Sequence, residues 1–193
     1  MNRRSVGLIT TSFVAVLLQS AGAQSYYQRT NLWTVHNQGN LQTVLDNTGV
    51  VGDRDIANPS YPDPLTGLMF RRTEYPRNSG NEWGLYLRRI IGGVVERDTL
   101  VSSGAFLPDE PPDNLFRYQT INEESHLYTK DAHSEFDIIC RYHDSIDDPK
   151  EVGSNHHPLF VRVEQRSMAW SASNIDDFIL FDLEISNFGA KVI

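Results

Sequence analysis

The chain reads as a mostly β protein: an antiparallel β-sandwich with long Pro- and Gly-rich loops, at most one short helix, and a cleaved N-terminal signal helix in front. Two stretches and one rhythm lead there. From Pro158 onward Leu159, Val161 and Val163 alternate with Arg162, Glu164 and Arg166. Further on, Ile179, Phe181, Leu183 and Ile185 alternate with Asp182 and Glu184. A period of two places one face on a core and the other in water. Ser171 to Asp177, between the two runs, are turn formers whose side chains bond their own backbone. The pair forms an antiparallel hairpin up to Asn187, and its apolar face needs a second sheet, because a lone hairpin is marginal in water. The rhythm is one of short apolar runs separated by turn residues, without helices between strands. That pattern favours antiparallel sheets over βαβ units.

The first residues stand apart from the fold. Arg3 and Arg4 precede a mostly apolar run from Val6 to Leu18, and Ala21-Gly22-Ala23 supplies a small-x-small cleavage site. This is the pattern of a secretory signal peptide cut between Ala23 and Gln24. The apolar run falls short of the roughly 20 residues a membrane anchor needs. Residues 24–193 are expected to make one β-rich domain, long enough for a real core. The formal net charge is −8, and removing the two leader arginines makes the remainder more acidic. An acidic surface without a basic cluster argues against nucleic acid and against an anionic membrane surface as partners. Cys140 is the one cysteine, so no intrachain disulfide forms. Its place in Phe136-Asp137-Ile138-Ile139-Cys140 marks it as a small buried hydrophobe rather than a catalytic thiol.

In chain order, Leu32 to Val35 and Leu41 to Leu45 are strand candidates around the turn Asn37-Gln38-Gly39-Asn40. Asp46 to Leu65 is rich in Asn, Gly and Pro and reads as an ordered surface loop, since proline cannot donate to a central ladder. Tyr75 to Gly80 is another turn. Trp83 to Val95 reads as one large β segment with Gly92-Gly93 inside a strand, a turn at Glu96-Arg97-Asp98 and a return strand from Thr99 to Ser102. Residues 104–113 hold three prolines and read as loop; Phe116 to Ile121 is a short strand. Residues 122–134 are the one helix candidate, with Asn122 as its cap and Glu123 and Glu124 complementing the helix dipole. Glu135 to His143 is a strand, and Asp144 to His157 a polar loop. After Asn187-Phe188-Gly189-Ala190 a new apolar run, Lys191-Val192-Ile193, begins, which suggests the N-terminal part of a longer polypeptide or else a short closing strand.

Several segments carry a resemblance in common. They are Tyr75-Pro76 with Ser79-Gly80, the Gly92-Gly93 strand, the return Asp98 to Ser102, and Pro158-Leu159 followed by Ala169-Trp170-Ser171. In this order they resemble the N-terminal regions of large uncharacterised secreted or surface proteins of Bacteroidetes-like bacteria. Phe160 stands where those proteins have glycine, and Arg89 where they have a bulky apolar residue. The resemblance spans most of residues 31–190. It implies extracellular or cell-surface placement, and in many relatives a C-terminal sorting domain of the type IX secretion kind; none lies within these residues. The family has no established catalytic residues, so the resemblance transfers none.

Motifs that carry chemistry are scarce. There is no His-Glu-x-x-His, no G-x-S-x-G elbow, no P-loop and no dinucleotide fingerprint. His143, Asp144, Asp147 and Asp148 share one loop with His156 and His157 and are the metal candidates, for calcium or zinc. The spacing departs from a calcium loop, and a hydrated acidic loop explains the same residues. Asp53 and Asp55 are read the same way. Tyr26, Tyr27, Trp33, Trp83, Tyr86 and Trp170 would stack on sugars if exposed, though such rings more often fill a core. The reading that follows is a non-catalytic module of a secreted or cell-surface protein, without a cofactor or catalytic residues of its own. Its partners would be other domains of a longer chain or surface glycans. The alternatives are a glycan-binding module, or the N-terminal part of a secreted hydrolase whose active site lies beyond residue 193.

Overall fold

A computed structural model describes residues 32–52, 61–62, 69–70, 73–80, 82–83, 85–87, 91–95, 98–101, 106–109, 112–113, 115–145 and 157–189. The leader and its Ala23–Gln24 junction lie outside these. Regular structure among the described residues is strand alone. The strands are β1 Trp33–His36, β2 Thr43–Asp46, β3 Val51–Gly52, β4 Tyr61–Pro62, β5 Met69–Phe70, β6 Thr73–Glu74, β7 Glu82–Trp83 and β8 Tyr86–Leu87. They continue with β9 Gly92–Val95, β10 Asp98–Val101, β11 Leu107–Pro108, β12 Arg117–Gln119, β13 Phe136–Asp144, β14 Val161–Ala169 and β15 Leu180–Asn187. Every ladder between them is antiparallel.

Of the two larger sheets, one runs β1-β2-β3-β8 and the other β11-β13-β14-β15, with β12 also paired to β13; β4 with β5, β6 with β7 and β9 with β10 form two-stranded sheets. The two sheets share their apolar faces. Leu45 and Val51 of the first pack with Phe136 and Ile138 of the second, and a neighbouring cluster joins Phe106, Cys140, Tyr142, Leu159, Val161 and Val163. Each such side chain taken fully from water contributes on the order of 2 kcal/mol. Cys140 is buried there, on the same face as Tyr142. Between the layers the Thr34 hydroxyl meets the Tyr118 hydroxyl at 2.9 Å.

β13 is covered on both faces. Its inward side chains, Phe136, Ile138, Cys140 and Tyr142, meet the other sheet. On the outward face Ile139 lies between its cross-strand partners Arg117 and Arg166, whose aliphatic stems can cover it while their charged heads reach outward. That outer face is laced by ion pairs. Arg166 reaches Asp137 at 2.7 Å, Arg141 and Arg117 converge on Glu164 at 2.5 and 2.9 Å, and Arg162 meets Asp109 at 2.8 Å. The charges that the alternation of β14 assigns to the polar side are thus arranged in a row of pairs.

The turn from β2 to β3 is built on one carboxylate. Asp46 Oδ1 accepts from the backbone N–H of Thr48 at 2.9 Å and of Val50 at 2.8 Å. Gly49 follows with φ +86°, and a Cβ there would sit 2.6 Å from the Tyr142 hydroxyl oxygen. Only glycine combines that left-handed backbone with room for the ring.

Four expectations need correction. Residues 122–134 form successive turns instead of a helix. Asn122 Oδ1 accepts from Glu124 N, Ser125 Oγ from Leu127 N and Thr129 Oγ1 from Asp131 N, at 3.1, 3.1 and 2.9 Å. Such short-range side-chain bonds compete with helical ones, and a thin apolar face leaves tertiary packing little reason to overrule them. Trp83–Val95 is divided among β7, β8 and β9, which join three different sheets; the pairing of β9 with β10 follows the expected hairpin, Gly93 opposite Leu100. Val51–Gly52 and Tyr61–Pro62, placed in one loop by their proline-rich surroundings, are strands, the first held between β2 and β8 and the second paired with β5. Pro108, also placed in a loop, lies in β11, at an edge where its missing N–H leaves no central ladder bond unmade.

Candidate functional site

The hairpin β14–β15 forms in the expected register, Val163 opposite Ile185 and Ser167 opposite Phe181. Its two strands differ in burial. Val161 and Val163 are buried, whereas Leu183 is 38% and Ile185 51% exposed. Phe181 of β15 packs against the cluster of Leu45, Val51, Phe136 and Ile138, whereas Leu183 and Ile185 further along the same face are left exposed. Among the described residues β15 pairs with β14 alone and has no strand on its other edge.

The strand is held in place at both ends. At the start, the turn Ser171 to Asp177 is tied to the β1–β2 loop: Asn40 N donates to Asp176 O at 2.7 Å and Asn40 Nδ2 to Asp177 Oδ1 at 2.9 Å. Gly39, with φ +81°, lets the two loops approach, since a Cβ there would lie 2.5 Å from the Trp170 carbonyl oxygen. At the end, Phe188 N donates to Phe160 O at 3.0 Å. Phe188 also meets Phe160 and His143 edge-on, each at 6.3 Å, beneath the Arg162 guanidinium at 5.3 Å.

The outward face of β15 carries Asp182 and Glu184, both exposed. Glu184 stands opposite Glu164, whose charge is already met by Arg141 and Arg117. Neither Asp182 nor Glu184 makes an ion pair among the described residues. A second concave feature is a cleft of about 360 Å³ lined by Gln38, Thr120, Asn122, Ser125, Leu127, Glu135 and Phe136. Glu135 is engaged there by Gln38 Nε2 at 2.8 Å, by Ser171 N at 3.1 Å and by the Ser171 hydroxyl.

Two of the four metal candidates, His143 and Asp144, fall among the described residues. His143 and Asp144 are consecutive in β13, so the pleat sends them to opposite faces. The His143 ring meets Ser145 Oγ at 2.9 Å, and Asp144 accepts from Leu159 N at 3.2 Å. Asp147, Asp148, His156, Asp53 and Asp55 lie outside the described residues. Among the described residues no group of three or more His, Cys, Asp or Glu side chains is placed to hold an ion. Of the aromatic candidates, Trp33 and Trp170 are half-buried, Trp170 against Phe178 with ring centroids 6.1 Å apart. Tyr26 and Tyr27 lie outside the described residues.

His36 is a group the sequence did not single out. It is fully buried in β1, edge-on to Phe136 at 5.4 Å, and neither ring nitrogen has a hydrogen-bond partner among the described residues. Burial lowers its pKa to about 4, against the opposing pull of the Ser167 backbone and the Asp137 charge.

Among the described residues these features define an all-strand arrangement of antiparallel sheets, the two larger ones packed face to face, with β15 at the edge of one. No family model, no curated protein and no solved structure matches the chain. Among the described residues no helix is long and apolar enough to cross a membrane.

Proposed function

We propose that the chain is a non-catalytic β-sandwich module of a secreted or cell-surface protein, with an interaction role. The observation that supports this reading is β15: an eight-residue strand, anchored at both ends, that presents Leu183 and Ile185 to solvent. Uncovered apolar side chains on an ordered sheet face mark a surface that meets another molecule or another domain. The signal-peptide pattern and the resemblance to exported bacterial proteins support the placement. The test has two arms. Protein recovered outside the cytoplasm is expected to begin at Gln24; retention inside with residues 1–23 attached would overturn the export. Purified residues 24–193 are then assayed on glycoside, ester and peptide reporters, and turnover abolished by one carboxylate substitution would overturn the non-catalytic role.

A second reading, a glycan-binding module, draws on the polar cleft beside Glu135, where Gln38, Thr120, Asn122 and Ser125 offer donors and acceptors. Glycan-array binding lost on substituting Asn122 and Gln38 would support it, and silence on the array would remove it.

A further inference from the structure

We infer that the edge of β15 away from β14 accepts an extended segment of another polypeptide as an added strand, and that this segment alternates apolar with basic side chains. The inference rests on the interaction role proposed above and supplies its partner chemistry. The argument begins with the backbone. Phe188 N points to β14, where it bonds Phe160 O. N–H and C=O direction alternates along an antiparallel strand, so Ser186, Glu184 and Asp182 also face β14. The N–H and C=O groups of Leu183 and Ile185, at the middle of the strand, therefore point away from β14. An edge of this kind is normally blunted by proline, lysine, a bulge or an inward-pointing charge. β15 has none of these: its inner face is Phe181, Leu183, Ile185 and Asn187, and its length is eight residues.

The side chains specify the occupant. A strand laid beside β15 sets its side chains in line with those of β15 on the two faces. On the inner face it meets Leu183 and Ile185, which calls for apolar residues. On the outer face it meets Asp182 and Glu184, exposed and without ion pairs among the described residues, which calls for Lys or Arg. A second copy is restricted in register: centring on Ile185 sets Glu184 opposite the copy's Ser186, but the two more central registers oppose carboxylates. Antiparallel pairing of β15 with itself centred on Leu183 sets Glu184 against the copy's Asp182. Centred on Glu184, it sets that carboxylate against its own twin. Like charges directly opposite are destabilising. The chain's net charge of −8 works in the same direction, repelling a copy and drawing a basic segment.

The test uses the processed chain and fluorescein-labelled synthetic peptides read by anisotropy. One peptide alternates lysine and valine over eight residues. A second alternates glutamate and valine, and a third has the lysines and valines in two blocks. The alternating basic peptide is expected to bind at least about tenfold more tightly than either control. Its affinity should fall as salt is raised, and hydrogen exchange at Leu183 and Ile185 should slow in its presence. Ile185→Pro removes an outward N–H without touching the ladder to β14 and should abolish binding. Because proline within a strand also perturbs folding, the charge reversal Asp182→Lys with Glu184→Lys is the decisive partner experiment: preference should invert toward the glutamate–valine peptide, a gain that misfolding does not produce. Equal binding of the alternating and blocked basic peptides, unchanged exchange at β15, or a concentration-dependent dimer through β15 would each overturn the inference. None of those results bears on export or on turnover, so the broader reading is judged separately.

Discussion

Acidification should weaken this fold through His36, and the size of the effect can be worked out from its burial. The imidazole is fully enclosed beside Phe136, and its pKa lies near 4 in the folded protein against 6.5 for the exposed group. Between those values the unfolded chain holds a proton that the folded chain refuses. Stability therefore rises with pH across that window. The contribution of the neutral ring is complete above 6.5 and is lost as pH falls toward 4. At roughly 1.4 kcal/mol per unit of displacement, the loss comes to about 0.8 kcal/mol at pH 6 and about 2.5 kcal/mol at pH 4.5. The comparison is with His36→Leu, which keeps every other ionisable group in place. Urea unfolding followed by tryptophan fluorescence at pH 7.5, 6 and 4.5 supplies both curves. The variant should match or exceed the parent at pH 7.5, because leucine brings no polar atoms into a site that offers the imidazole nitrogens no partner. It should then diverge upward by the amounts given as pH falls. Parallel curves for the two proteins would show that His36 is not enclosed as described.

Two further perturbations probe the interior. Gly49→Ala forces a β-carbon onto the Tyr142 ring, which is fully buried and bonded through its hydroxyl to Gln165 at 3.2 Å. With the left-handed backbone added, the loss should be about 2–4 kcal/mol in denaturant unfolding, and a loss below about 0.5 would contradict the packing. Arg166→Met leaves the Asp137 carboxylate buried without its guanidinium partner. It should destabilise by about 3–5 kcal/mol, whereas Asp137→Asn combined with Arg166→Met should recover a large part of that loss. Additive losses in that cycle would mean that the pair is not coupled.

The strands that were easiest to read are those whose evidence is local. Residues 161–169 alternate cleanly, and a period of two is a property of the strand itself; the same holds for the turn from Ser171 to Asp177 and the hairpin Gly92 to Val101. Residues 122–134 misled because Asn122, Glu123 and Glu124 suit a helix start, yet the same Asn, Ser and Thr side chains close turns when no core rewards a helix. Val51 and Pro108 misled for another reason: a two-residue strand has no internal pattern, and it exists only because a neighbouring strand pairs with it.

The candidate site shows the division most clearly. Alternation along β15 separates Leu183 and Ile185 from Asp182 and Glu184 whatever surrounds the strand, since successive side chains of a pleated chain point to opposite sides. Whether anything lies over the apolar side depends on how far the opposing sheet extends, which is set by pairings between separate segments, Val51 with Leu87 among them, and by packing such as Leu45 on Phe136. The same non-local contacts enclose His36 and bring Gly49 under Tyr142. Local geometry dictated which side chains travel as a set; only the assembled layers settled which of those sets found cover.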